Sequence, residues 1–252
     1  MTRLTLEPHI LSILKDKIKP IPSAEGTIYL VGPIRMPVNL FDETVEFNWY
    51  CWLNCDQISG DYASVIEKLS SSNLSEYQQS SVLVYGDFEN SEDALIRMHS
   101  ICHTGDIFGS KRCDCGFQLK QSMQRIADHG SGALFYLANH EGRGIGLFSK
   151  AMAYLLQENG SDTVEANEQL GFTDDSRSYE DALSVMKSLR SKPVNILTNN
   201  PKKVAALESS GLQVSGRTAL WGDESEFNSV YLQTKVARSG HFKNEEASYV
   251  KP

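Results

Sequence analysis

The segment HSICHTGDIFGSKRCDCG, residues 99–116, holds Cys102, Cys113 and Cys115. Two cysteines one residue apart, with a third across a glycine-containing turn, can converge three thiolates on one zinc ion. Three protein ligands leave the fourth tetrahedral position to water, which the metal activates as a nucleophile. The spacing leaves two other readings open: a closed structural zinc completed by His99 or His103, and three buried thiols with no metal. Three thiolates also donate much charge, so a water activated there needs cationic or proton-accepting neighbours. Cys51 and Cys55 in WYCWLNC, beside Trp49 and Trp52, read as small buried side chains.

A second group of residues suits an anion. The run ANHEGRGIG, residues 138–146, follows an apolar segment and opens a helical one. Its glycines permit close backbone approach, the helix start offers free N–H groups, and Arg143 and Lys150 add positive charge. TNNPKK, residues 198–203, repeats the theme: Thr198, Lys202 and Lys203 stand where a strand turns into a helix, and lysines there oppose the helix dipole. DTVEANEQLGFTDDSR, residues 162–177, gathers Thr163, Glu165, Asp174, Asp175 and Arg177 as a further polar constellation, with a solvated loop as the ordinary alternative.

The elements that must position these residues follow from periodicity. Leu4–Lys19 reads as a helix stopped by Pro20 and Pro22. Thr27–Gly32 is a short strand, and Thr44–Leu53 alternates as one, with Val45, Phe47, Trp49, Cys51 and Leu53 on a single face. The polar stretch 70–80 reads as a loop. Beyond it, strands at Ser81–Gly86, Leu95–Ser100, Ala133–Ala138 and Val194–Thr198 alternate with helices at Phe117–His129, Leu147–Glu158, Tyr179–Leu189 and Pro201–Ser209. The chain is a mixed α/β protein.

At 252 residues the chain can bury a substantial core, and 40% apolar with 22% charged residues is globular rather than disordered or coiled-coil composition. No apolar run reaches the roughly 18–20 residues of a membrane helix. The start of the chain lacks a signal-peptide pattern, and an odd number of cysteines argues against a disulfide framework, so a cytoplasmic protein is expected. The net charge of −8 is uneven: residues 1–96 carry 6 Lys/Arg against 14 Asp/Glu, residues 97–150 carry 7 against 4, and residues 151–252 carry 11 against 14. An acidic chain with one basic stretch suits a small polyanion better than nucleic acid.

The motifs RMHSICHTGD (97–106), RCDCGFQ (112–118), HEGRGIGL (140–147), DTVEAN (162–167), LGF with Asp175 and Arg177, and LTNNPKK (197–203) resemble the GTP cyclohydrolase II family. The resemblance runs from about residue 81 to 241. It implies a mixed sheet flanked by helices over 81–252, with residues 1–80 as an N-terminal extension. It also implies a homodimeric enzyme that opens the imidazole ring of GTP for riboflavin biosynthesis. Formate and pyrophosphate leave, giving 2,5-diamino-6-ribosylamino-4(3H)-pyrimidinone 5′-phosphate. By this resemblance Cys102, Cys113 and Cys115 hold one catalytic Zn²⁺, and Mg²⁺ accompanies the triphosphate. Arg97, His99, Ser100, Gln118, Glu141, Gly142, Arg143, Thr163, Thr198 and Lys203 fall on substrate-binding positions. Asp175 falls on the proton acceptor, Arg177 on a proposed nucleophile and Tyr154 on a tyrosine of ring opening.

A guanidinium keeps its proton at a pKa above ~12, so a clamp on phosphate charge suits Arg177 better than nucleophilic attack. The family usually carries Glu before the first zinc cysteine and Leu after it, where this sequence has Ile101 and His103. Two alternatives follow: a paralogue acting on another nucleotide, and a non-catalytic zinc-stabilised nucleotide-binding protein. The retained Cys, Asp175, Arg177 and Tyr154 set argues against the second.

Overall fold

The computed structural model describes residues 7–24, 26–54, 66, 68, 74, 79–242 and 249–250. Its frame is a nine-stranded sheet in the order β1-β2-β3-β4-β6-β5-β7-β8-β9. The strands are β1 (Ile18–Ser23), β2 (Gly26–Leu40), β3 (Glu43–Asn54), β4 (Ser81–Tyr85), β5 (Leu95–Ser100), β6 (Gly132–Leu137), β7 (Val194–Leu197), β8 (Val214–Thr218) and β9 (Tyr249–Val250). The run from β1 to β4 and on to β6 is antiparallel, β6-β5-β7-β8 is parallel, and β9 closes antiparallel on β8. β1–β3 and β4 therefore belong to one sheet across the expected boundary at residue 80.

The parallel centre is covered on both faces, which is why β5, β6 and β7 are nearly continuous buried runs. Helices α5 (Glu180–Leu189) and α6 (Pro201–Ser209) pack Ala182, Val185, Met186 and Leu207 against Ile96, Met98, Phe135 and Ile196. On the opposite face α2 (Cys115–His129) sets Met123 and Ile126 against Leu95, Leu134 and Leu197. Alternation along β5 then turns Leu95, Arg97 and His99 towards α2. Arg97 and His99 are accordingly buried.

Three expectations about the elements are corrected. Among the described residues of Leu4–Lys19, only α1 (Pro8–Lys15) is helical, and Ile18–Ser23 is a strand containing Pro20 and Pro22. β1 pairs with β2 alone, and an edge strand tolerates residues without an N–H. Residues 163–169 form a helix, α4 (Thr163–Gln169), rather than a loop. The Asp162 carboxylate accepts from Val164 N at 2.7 Å and Glu165 N at 2.8 Å, and Glu165 accepts from Asp162 N at 3.0 Å. In β3 the single inward face fails: Phe47 is buried on one side of the sheet, and Trp52, of opposite parity, on the other. Cys55 and most of the polar stretch 70–80 lie outside the described residues.

α3 (Leu147–Glu158) and α6 match their expected bounds. Strands β1, β8 and β9 and helix α7 (Ser229–Ala237) had no counterpart in the sequence reading.

Candidate active site at the carboxyl ends of the parallel strands

β5 ends at Ser100 and the chain passes directly into Cys102. One π-helical turn, His103–Ile107, brings the chain round to Cys113 in the loop before α2, and Cys115 is the first residue of that helix. The Sγ atoms of Cys102 and Cys113 are 3.5 Å apart, and all three Sγ atoms lie within 4.8 Å of one another. A tetrahedral zinc with Zn–S near 2.3 Å separates its thiolates by about 3.8 Å, so the donor set and its spacing fit that ion. Gly105 makes the convergence possible, because a Cβ there would stand 2.8 Å from Cys113 Sγ and 3.2 Å from Cys102 Sγ.

Among the described residues only these three cysteines form such a cluster. His99 does not complete it: its Nε2 lies 3.1–3.2 Å from both carboxylate oxygens of Asp106. Asp106 is in turn fixed by Tyr136 Oη at 3.0 Å and Cys102 N at 2.9 Å. His103 packs edge-on against the ring of Phe108. The closed site completed by either histidine is thus not what the chain builds, and all three cysteines line the cavity. The Cys102 thiol is held far below the ordinary range, first by hydrogen bonds from Cys113 and Cys115, with burial opposing and the charge of Lys150 assisting. Cys113 is pushed up to about 11, first by its hydrogen bond to Cys102. A cluster that already favours one thiolate is prepared to exchange protons for a cation.

The remaining residues gather where ligands bind open α/β sheets, beyond the carboxyl ends of β5, β6 and β7. From β5, Arg97 donates to Leu197 O at 2.9 Å and to Gln118 on α2, and Gln118 donates to Asp114 between the two later cysteines. After β6, the turn Ala138–Arg143 carries His140 and Glu141. His140 Nε2 donates to Ser178 O at 2.7 Å, so its Nδ1 accepts from Ser100 Oγ at 3.1 Å. Burial, first, drives the His140 pKa down to about 4, which keeps that ring neutral. Arg143 adopts φ of +66°, unusual for a residue with a Cβ, and pairs with Asp174 while donating to Ser239 Oγ at 3.1 Å. After β7, the Asn200 side chain caps α6 and Lys203 Nζ donates to Met98 O at 2.7 Å. Lys202, at the same helix start, lies 3.5–3.7 Å from the carboxylates of Asp175 and Asp174, which offset its conflict with the dipole.

Asp175 and Arg177 form a two-pronged pair, Nε–Oδ1 at 2.7 Å and Nη2–Oδ2 at 2.8 Å. Burial opposes ionisation of both, and the pair overcomes it: Asp175 sits well below the ordinary carboxylate range and Arg177 above its usual value. Arg177 Nη1 also reaches Ser100 Oγ at 3.3 Å. Tyr154, on α3, places its hydroxyl 3.2 Å from Thr104 Oγ1 and its ring under the Arg112 guanidinium at 4.2 Å. Lys150, expected to meet phosphate, instead contacts Cys102 and Glu141.

All sixteen residues that the resemblance places in metal, substrate-binding and catalytic roles line one cavity, whereas Glu165 and Asp174 are not among its lining residues. Eight Lys and Arg side chains line it against two carboxylates, Glu141 and Asp175. Arg97 Nε, His99 Nδ1, Asn167 Nδ2 and Trp221 Nε1, all from lining residues, are buried with no partner among the described residues. Unpaired buried polar atoms around an open cavity point to a polar ligand.

The family model for GTP cyclohydrolase II matches residues 69–219. The chain belongs to the GTP cyclohydrolase II family. It is 48% identical over 164 residues to the GTP cyclohydrolase-2 of Colwellia psychrerythraea, a match covering 65% of this chain and 81% of that protein. It is 52% identical over 159 residues to the riboflavin biosynthesis protein RibBA of Bacillus velezensis, covering 63% of this chain and 40% of the relative. With the riboflavin biosynthesis protein VVA0006 of Vibrio vulnificus it shares 48% over 170 residues, 68% of this chain and 46% of the relative. The chain thus spans less than half the length of the RibBA relatives it matches.

Sequence reasoning missed the contribution of the chain beyond this family match. Trp221, Tyr231, Lys235, Ser239 and His241 line the same cavity. Lys235 Nζ, 2.8 Å from Asp114 Oδ1 and 4.4 Å from the Tyr231 ring centroid, ties α7 to the cysteine loop. Asp114, an acid between two ligand-type cysteines, was the one signal that a cation had to arrive from elsewhere.

Proposed function

We propose that the chain hydrolyses GTP, opening the imidazole ring with loss of formate and pyrophosphate to give 2,5-diamino-6-ribosylamino-4(3H)-pyrimidinone 5′-phosphate. The observation that carries this reading is the adjacency of a three-cysteine cluster to a cavity lined by eight cationic side chains. The first suits a Lewis-acidic zinc, and the second a nucleoside triphosphate. The family match and the names of the relatives support the same substrate.

Cys102, Cys113 and Cys115 would hold zinc, which when bound would supply Lewis-acid chemistry for hydrolysis of the guanine ring. The protein residues do the rest. Neutral His140 with Ser100, and Asp175 with Arg177, form a hydrogen-bonded chain along the mouth of β5. Arg177, whose proton is locked on by Asp175, holds negative charge developing at the α-phosphate as the bond to the β-phosphate breaks. Arg143, Lys202 and Lys203 line the same cavity and would meet the remaining phosphates, with Mg²⁺ accompanying them. Tyr154, held between Thr104 and Arg112, offers its hydroxyl beside the cysteine cluster for proton transfer during ring opening. Residues 81–252 act as the catalytic unit, with β1–β3 of the N-terminal extension widening its sheet, and the enzyme works as a cytoplasmic homodimer.

Elemental analysis of the purified chain tests the metal half of this reading. About one zinc per chain is expected, with loss of both zinc and GTP consumption in Cys113→Ser and Cys115→Ser. Full zinc occupancy in both variants would remove the proposed site.

A further inference from the structure

The ammonium of Lys150 is an unusual guest in the cysteine cluster. It projects from the first turn of α3, its side chain is only 10% exposed, and it lies 3.2 Å from Cys102 Sγ and 2.6 Å from Glu141 Oε1. Its carboxylate partner is committed to the same place: Glu141 Oε2 accepts from His103 N at 2.7 Å, the residue after Cys102, and Oε1 also accepts from Gly142 N at 3.2 Å. The pair is therefore anchored at both ends to the segment that carries a ligand, not to a distant part of the core. A buried ion pair needs no sulfur neighbour to be satisfied, and Lys150 could have been held by Glu141 alone. Instead it points a donor at the sulfur of Cys102, two residues beyond the end of β5.

We propose that Lys150 is a positioning residue of the metal centre, donating an N–H···S hydrogen bond that withdraws charge from the Cys102 thiolate. Three thiolates and one divalent cation sum to −1, and their donation weakens the ion as a Lewis acid. A fixed ammonium 3.2 Å from one sulfur offsets that charge without occupying a coordination position. The inference rests on the reading of the three cysteines as a metal site and adds a second residue layer to it.

Cobalt(II) reports on sulfur donation directly. The zinc of the full-length protein is exchanged for Co²⁺, and the sulfur-to-metal charge-transfer band is recorded for the unmodified chain, Lys150→Met, Lys150→Gln and Lys150→Arg. With the hydrogen bond removed the sulfur electrons rise in energy, so the band of Lys150→Met shifts to longer wavelength. Lys150→Gln, which keeps a neutral donor, shifts part of the way and serves if the Met variant does not fold. Lys150→Arg, which keeps charge and donor, stays near the unmodified position, and that rescue separates the role from mere packing. Bands at one wavelength in the unmodified, Met and Gln proteins would overturn the role of Lys150 while leaving the metal site standing. Absence of any charge-transfer band in the unmodified protein would overturn the three-cysteine reading and this inference with it.

Discussion

Arg177 and Ile101 show what single residues decide in this site. Arg177 is clamped by Asp175 through two short contacts, and every electrostatic influence that raises its proton affinity argues against a neutral, nucleophilic guanidinium. Arg177→Lys keeps a cation but loses the fork, so pyrophosphate release should fall by about 10²–10³ rather than vanish, as for loss of one transition-state donor. A trapped phospho-arginine adduct in the unmodified protein would show the clamp to be the wrong role. Ile101 donates its backbone N to Leu137 O at 3.1 Å and lines the cavity immediately before Cys102. The residue therefore does not serve the core alone, and an acid placed there meets the ligand. If position 101 tunes nucleotide choice, Ile101→Glu raises kcat/KM for GTP by at most the few kcal/mol of one charged hydrogen bond, about tenfold to a hundredfold. Unchanged kcat/KM together with a lowered Tm would assign Ile101 to packing.

The roles of Arg177 and Ile101 stood out only through the family resemblance, whereas the cysteines and the glycine turn were legible because type and spacing restrict their chemistry. The two-cysteine step of Cys113 and Cys115 admits few uses, and glycines flanking Arg143 mark a backbone turned for close approach. The partners were not legible. Nothing in the spacing of Lys150 from Cys102, 48 positions apart, announces their contact.

At the scale of elements, periodicity carried furthest where one face is buried and the other wet. Helices α2, α5 and α6 have that pattern, and their apolar stripes coincide with the two core clusters. It failed where polar residues do structural work. α4 announces itself only through its capping box, Asp162 to Glu165, and β8 buries Gly216 and Arg217 in place of an apolar pair. β1 was hidden by prolines that an edge strand accommodates. α7 belongs with these, and its principal tie is electrostatic: Lys235 reaches Asp114, whose side chain is fully buried. Lys235→Met leaves that carboxylate with Gln118 and the Gly222 N–H only, and a loss of about 3 kcal/mol in urea unfolding is expected. Asp114→Asn combined with Lys235→Met should recover part of it. A Lys235→Met chain as stable as the unmodified protein would mean that α7 does not brace the cysteine loop.

At the scale of the whole molecule, a chain of net charge −8 concentrates cations in one cavity. The parallel strands β5, β6 and β7 end at its floor, α2 and α3 bring the cysteine cluster and Lys150 to one side, and α4, α6 and α7 supply the rest. No helix among the described residues is long and apolar enough to cross a membrane. The sheet is thus a platform whose strand ends carry a cation-rich cavity beside the three-cysteine cluster. The most direct test of the proposed GTP hydrolysis is the product balance. Zinc-loaded protein is incubated with GTP and Mg²⁺, and formate, pyrophosphate and the pyrimidine product are quantified together. One formate and one pyrophosphate are expected for each GTP consumed, with none from Cys113→Ser. GTP recovered intact from zinc-replete protein would contradict the account.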